Sequence, residues 1–153
     1  MTDIRIIGAT RRFGPVTALD DVSLDFPSGS FTSLLGPSGC GKTTMLRLIA
    51  GFEAPDAGSV VFDGATVADP ARQTPPEKRG VGVVFQSYAL WPHMDVAGNV
   101  AYPLATRGIA GKERERRVHE VLSTVGLEGY QARRIEELSG GQRQRVALAR
   151  CLV

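Results

Sequence analysis

The stretch GPSGCGKTT, Gly36 to Thr44, satisfies the spacing G-x-x-x-x-G-K-[ST] with Gly36, Gly41, Lys42 and Thr43. Small residues there let successive backbone N–H groups curl around phosphate oxygens, and a helix starting at that point adds the positive end of its dipole. Lys42 supplies a point charge for the outer phosphates, and the Thr43 hydroxyl can hold Mg²⁺. A dinucleotide loop of the Rossmann kind is a weaker match, because Thr44 stands where a third glycine would be needed. Cys40 reads as a small residue that fits the loop, although amide-rich surroundings at a helix start can also activate a thiol. A second candidate is LSGGQRQRVALARCLV, Leu138 to Val153. Ser139 offers a helix cap, and Gly140 and Gly141 leave bare N–H groups at the positive end of the helix that follows. By itself this is an ordinary capped helix; beside a phosphate loop it becomes a second place for phosphate oxygens to approach.

Positioning the loop requires a strand before it and a helix after it. Near the start DIRII, then VSLDF at Val22 to Phe26 and FTSLL at Phe31 to Leu35, alternate as strands, with Pro27, Ser28 and Gly29 punctuating the last two. Beyond the loop the period changes: Met45, Leu46, Ile49 and Ala50 fall at helical spacing and Gly51 is placed as a stop. SVVFDGATV, Ser59 to Val67, reads as a hairpin around Asp63 and Gly64. DPARQTPPEKRG breaks all periodicity and reads as a loop, whereas VGVVFQ, Val81 to Gln86, is short and β-branched enough for a buried strand. Val118, Val121, Leu122 and Val125 form a helix stripe closed by Gly126.

The 153 residues suit one domain, and 42% hydrophobic with 22% charged residues is ordinary for a globular chain. No apolar run approaches the roughly 20 residues that span a bilayer, and no basic, then apolar leader follows Met1. A net charge of +2 gives no reason to expect nucleic acid. The run KERERR, Lys112 to Arg117, mixes signs and reads as a solvated helix face, and Arg143, Arg145 and Arg150 read as surface residues. Cys40 and Cys151 stand far apart, and His93 and His119 are the only histidines, so neither a disulfide framework nor a structural zinc site is expected.

The phosphate loop, Gln86 closing VVFQ, and LSGGQ occur in an order that resembles the nucleotide-binding subunit of an ABC transporter, and the likeness covers the chain from Ile4 onward. It implies an α/β P-loop NTPase of the ABC type with an N-terminal antiparallel β part, a partial parallel core sheet and a helical subdomain, incomplete at the C-terminus. The implied division is about 1–86 for the β part and phosphate-loop core, about 87–138 for the helical subdomain, and 139–153 for the signature helix. It implies ATP and Mg²⁺ as cofactors. Phe13 would stack on adenine with Val16 beside it; the family more often has Tyr there, but stacking needs only the ring. Gly36, Pro37, Ser38, Gly39, Cys40, Gly41, Lys42, Thr43 and Thr44 would surround the phosphates, with Thr43 and Gln86 on Mg²⁺. Ser139, Gly140, Gly141 and Gln142 would contact ATP held by a second, head-to-tail subunit.

SYALWPHMDVAGNVAYPL, Ser87 to Leu104, resembles importers in particular, of the group carrying polyamines, iron, sugars or phosphonates. The resemblance implies permease subunits docking near Gln86 to Pro92 on Tyr88, Leu90, Trp91 and Pro92, a solute-binding protein acting indirectly, and a peripheral location on the cytoplasmic face of the membrane. It also implies an Asp-Glu pair after the signature, the Asp supporting Mg²⁺ and the Glu orienting the attacking water, with a switch histidine later still. Neither is found by Val153, and Asp63 reads as a turn residue and not as a substitute. The expectation is therefore an importer ATPase subunit whose present residues bind ATP without hydrolysing it alone. A binding-only regulatory module and an ABC-type ATPase outside transport are the alternatives.

Overall fold

A computed structural model describes residues 2–153; Met1, from which the leader reading started, lies outside them. The chain divides into two compact units, one ending at Val81 and the other spanning Gly82–Val153.

The first unit is built on a five-stranded antiparallel sheet in the order β2-β1-β3-β4-β5. Its strands are β1 (Ile4–Phe13), β2 (Val16–Phe26), β3 (Ala57–Phe62), β4 (Ala65–Asp69) and β5 (Arg72–Gln73). β1 pairs with β2 from Ile4↔Phe26 to Phe13↔Val16, with register shifts along the way. Each shift moves the inward face by a residue, which is why simple alternation revealed only the ends of these two strands. The Asp63–Gly64 turn forms as expected: both residues have positive φ, 47° and 81°. Asp63 Oδ1 also accepts from the Asp3 amide at 2.8 Å, and the Asp63 amide donates back to Asp3 O at 2.9 Å. Its carboxylate is thus committed to fastening the N-terminal strand.

Helix α1 (Lys42–Ala50) ends at Gly51 in the left-handed conformation. It buries Met45, Leu48 and Ala50, and the first two pack against Ile6, Ala9, Leu19, Val60, Phe62 and Ala68 of the sheet. Leu46, placed by the sequence on the inward stripe, is exposed. The stretch read as a structureless loop is ordered: Asp69 Oδ1 accepts from the Ala71 and Arg72 amides at 2.8 and 3.0 Å and closes the β4–β5 turn, and a 3-10 turn follows at Pro76–Lys78. Arg79, 6% exposed, then sends its guanidinium to the Leu48, Ile49 and Thr74 carbonyls.

The parallel core sheet requires correction. Neither Phe31–Leu35 nor Val81–Gln86 joins a ladder among the described residues. A strand is held by bonds to a neighbour, and the five paired strands all come from other stretches. In the first stretch Phe31 is 96% and Leu35 89% exposed, while Leu34 packs against the core of the first unit.

The second unit is helical: α2 (Val96–Thr106), α3 (Gly111–Thr124) and α4 (Gly140–Leu152). α2 starts at Asp95, whose side chain accepts from the Gly98 amide. Val100, Leu104, Leu122, Leu127, Val146 and Ala149 anchor its core. Val118, Val121 and Leu122 face inward as the stripe predicted, and α3 stops before Val125 and Gly126. The charged run is a solvated face, with Arg116 and Arg117 both paired to Glu113 at 2.8 and 2.7 Å. Among the described residues no helix is long and apolar enough to cross a membrane.

Candidate functional site

The phosphate loop is a left-handed sequence of glycines: φ is 154° at Gly36, 83° at Gly39 and 90° at Gly41. Only glycine adopts such values without strain. At Gly41 space as well as φ demands it, because a Cβ would lie 2.4 Å from Ala18 O and 2.8 Å from Leu19 Cδ2. At Gly39 a Cβ would meet nothing within 4 Å, so that side of the loop is open. The Gly41 contact sets the loop's exit against β2. It also fixes the side on which the β1–β2 hairpin lies, since Val16 begins that strand two residues before Ala18.

Helix α1 begins at Gly41 with no side-chain cap and no acidic residue in its first turn. Its leading amides, Lys42, Thr43 and Thr44, are therefore orphan donors at a positive helix end, which suits an anion. Lys42 Nζ folds back over the loop, donating to Pro37 O at 2.6 Å and Gly36 O at 2.8 Å, and lies 3.4 Å from Cys40 Sγ. Residues Gly36 to Cys40 and Thr43 are exposed. This donor set fits a polyphosphate: glycine-opened backbone, an uncapped helix start and one ammonium. Phe13 and Val16, register partners at the tip of the hairpin, are 42% and 62% exposed, and the Arg11 guanidinium covers one face of the Phe13 ring at 4.8 Å.

In the second unit, α4 opens on a complete capping box. Ser139 Oγ accepts from the Gln142 amide at 3.3 Å, and Gln142 Oε1 accepts from the Ser139 amide at 2.8 Å. Gln142 Nε2 also donates to Tyr130 Oη at 3.2 Å. The Gln142 side chain is thereby committed to the cap, while Gly140 and Gly141 carry the first amides with no Cβ to shield them. A Cβ at Gly141 would meet nothing within 4 Å. Gln86 is exposed, and the segment after it half-buries Tyr88, Leu90 and Trp91 while leaving Pro92 in solvent. Trp91 packs on Tyr102 with ring centroids 4.4 Å apart. An open groove of about 540 Å³ beside α2 and α3 is lined by Met94, Ala97, Gly98, Tyr102 and Arg114, and among the residues just described it includes only Tyr102.

Sequence reasoning missed the arginines of α4 as structural ties. Arg143 donates to Ile135 O at 3.1 Å, Arg145 to Val125 O and Gly126 O at 3.1 Å, and Arg150 to Ala89 O at 2.7 Å and Tyr88 O at 3.0 Å. It also passed over Asn99, fully buried and bonded to Trp91 through both its carbonyl and its amide. An isolated asparagine in the apolar row VAGNVAYPL was the available signal for the second of these.

The chain is similar to known proteins over its whole length. A family model described as "ABC transporter" matches residues 19–153. The chain is 54% identical over its whole length to the spermidine/putrescine import ATP-binding protein PotA of Nitrosospira multiformis, covering 41% of that protein. It is 48% identical to the trehalose/maltose import ATP-binding protein MalK of Thermococcus litoralis, covering 42% of it. It is 47% identical over 98% of its length to the Fe(3+) ions import ATP-binding protein FbpC of Escherichia coli O157:H7, again covering 42%. The chain thus spans about two-fifths of the length of these curated relatives. In three dimensions it matches the ATP-binding cassette MJ0796, solved as a dimer in a post-hydrolysis state bound to ADP and Pi, with a TM-score of 0.84 and 33% identity over 97% of this chain and 68% of that one. With the family model covering both the phosphate loop and the second helix cap, the chain belongs to the ABC transporter family.

Proposed function

We propose that this chain is the ATP-binding part of an importer subunit, which powers solute entry through membrane permease subunits. The observation that carries the proposal is the uncapped start of α1 beneath a glycine-opened loop and the Lys42 ammonium. The relatives named as import ATP-binding proteins support the importer reading. In it, Gly36 to Thr44 wrap the phosphates with backbone N–H groups, and Lys42 exchanges its own-loop carbonyls for phosphate oxygens. Phe13 and Val16 hold the adenine, with Arg11 closing the far face of the ring. Thr43 and Gln86 would hold Mg²⁺. The ion, when bound, neutralises phosphate charge.

The capping box leaves the Ser139 hydroxyl proton, with the Gly140 and Gly141 amides, to meet ATP on a second subunit; Gln142 contributes by holding that cap. Permease subunits dock near Gln86 to Pro92, a solute-binding protein acts beyond them, and the subunit works peripherally on the cytoplasmic face of the membrane. The residues present bind and orient ATP. Asp63, tied to Asp3, supplies no water-orienting carboxylate.

The test is ATP affinity of the full-length protein carrying this segment, by calorimetry, for the wild type and Lys42→Ala. Losing the ammonium removes about 1.5–3 kcal/mol of charge-assisted hydrogen bonding, or roughly 10- to 100-fold in Kd. Equal affinity in the two proteins would overturn the reading.

A further inference from the structure

Two consecutive non-glycine residues, Tyr88 and Ala89, have φ of 62° and 46°. L side chains avoid that region, so the surroundings must hold the turn in place. One side chain bonds to both residues. The Arg150 guanidinium donates to both strained residues, to Ala89 O at 2.7 Å and Tyr88 O at 3.0 Å, and lies over the Trp91 ring at 4.8 Å. From the other side buried Asn99 accepts from the Trp91 amide at 2.8 Å and donates to Trp91 O at 3.1 Å and Asp95 O at 3.0 Å. The segment after Gln86 is therefore clamped between α4 and α2, with Trp91 gripped from both helices.

The clamp reaches the phosphate-facing end of α4. The Tyr88 backbone is held by Arg150, in the last turn of α4, while its hydroxyl lies 3.9 Å from where a Cβ of Gly140 would stand, at the first turn. The Arg150 and Tyr88 side chains in series thus link the two ends of the helix. A shift of the Tyr88–Ala89 turn moves the ring beside Gly140, and a shift of α4 pulls the turn.

We propose that Arg150 is a positioning residue that makes the segment after Gln86 and the Ser139–Gln142 helix end move as one piece. The role rests on reading that helix end as a contact for ATP on a second subunit. Arg150 touches no nucleotide; it sets where Gly140 and Gly141 stand when the two subunits close. The geometry requires arginine, because two diverging N–H groups reach two carbonyls while the planar face stacks on an indole, and an ammonium cannot do both.

The test uses the full-length protein with MgATP. For Arg150→Ala, steady-state hydrolysis is expected to show KM for ATP within twofold of wild type and kcat at least tenfold lower. Arg150→Lys should recover part of kcat. A kcat within twofold of wild type for Arg150→Ala overturns the proposal, as does a KM that rises in step with the loss of kcat. Should the alanine variant not fold, Arg150→Lys decides: a three- to tenfold lower kcat at unchanged KM supports the clamp, and wild-type kcat refutes it. Amide hydrogen exchange separates this outcome from failure of the ATP reading. Exchange at the bonded amides of Tyr88, Gln142 and Arg143 should quicken together in Arg150→Lys whatever the ligand, and unchanged exchange at Gln142 and Arg143 overturns the clamp. Lys42→Ala that leaves ATP affinity intact would instead sink the ATP reading alone.

Discussion

Arg79 Nη1 donates to the carbonyl oxygen of Leu48 at 2.6 Å, so the helix that carries Lys42 at its start is closed at its end by an arginine from 31 residues downstream. The same guanidinium reaches Ile49 O at 2.9 Å and Thr74 O at 2.8 Å. Helix carbonyls at a C-terminus carry partial negative charge, and a buried cation there satisfies them while opposing the dipole. Arg79→Met keeps most of the side-chain volume but strands these acceptors. Since a hydrogen bond from a charged group is worth about 1.5–3 kcal/mol, and several are lost with partial relaxation, we expect destabilisation of about 3 kcal/mol. Denaturant titration of the full-length protein checks it; a change near zero would mean the carbonyls find water readily.

Gly41 and Gly39 have almost the same φ, 90° and 83°, yet their surroundings differ. Alanine at either position pays for a left-handed backbone, about 1–2 kcal/mol. At Gly41 the new Cβ would also strike the Ala18 carbonyl, fixed backbone 2.4 Å away, whereas at Gly39 it enters open space. Gly41→Ala should therefore lower the thermal midpoint clearly more than Gly39→Ala. Equal midpoints would show that β2 does not buttress the loop's exit.

The phosphate loop, the Asp63–Gly64 hairpin, the Gly51 helix stop and the Ser139 cap were all legible, because each rests on residues adjacent in sequence whose local geometry is nearly obligatory. What stayed hidden depends on distant partners. Arg79 looks like one more charge in PPEKRG until Leu48 and Thr74 surround it, and Arg150 looks like a solvated helix residue until Tyr88 and Ala89 fold against it. The failed strands show the same limit from the other side. Phe31–Leu35 has strand composition, but composition supplies no hydrogen-bond neighbour. In β1 and β2 the pairing exists, and bulges concealed its length.

Glu113 offers a pH test on the solvated face of α3. Hydrogen bonds from Arg116 and then Arg117 hold its carboxyl down at about 2, against 4.5 ordinarily. A lowered folded value means that any stabilisation is complete above the ordinary carboxylate range and disappears as pH falls from about 4.5 towards 2. The group is exposed, so its share of stability is small and salt-sensitive. The direct readout is the Glu113 side-chain carbon shift in an NMR titration. We expect a midpoint well below the ordinary glutamate value of 4.5, rising when Arg116 is changed to Gln. A Glu113 midpoint at 4.5 that Arg116→Gln leaves in place would refute the pairing.

The two thiols should respond oppositely to an alkylating reagent. Cys40 is exposed in the phosphate loop, 3.4 Å from the Lys42 ammonium. Cys151 is half-buried at the end of α4, its Sγ donates to Val83 O at 3.5 Å, and burial pushes its thiol up from 9.0. Thiolate is the reacting form, so at pH 7.5 Cys151 is disfavoured by both access and charge. Its raised value also means that the folded state loses relative stability as pH climbs past about 9, where the unfolded thiol ionises first. We expect Cys40 to be labelled at least tenfold faster than Cys151, and Cys151 to react freely only in denaturant. MgATP should slow the Cys40 reaction in the full-length protein, because phosphates held by the loop would draw Lys42 away and cover the thiol. Rapid Cys40 labelling that MgATP leaves unchanged would place the nucleotide somewhere other than Gly36 to Thr44.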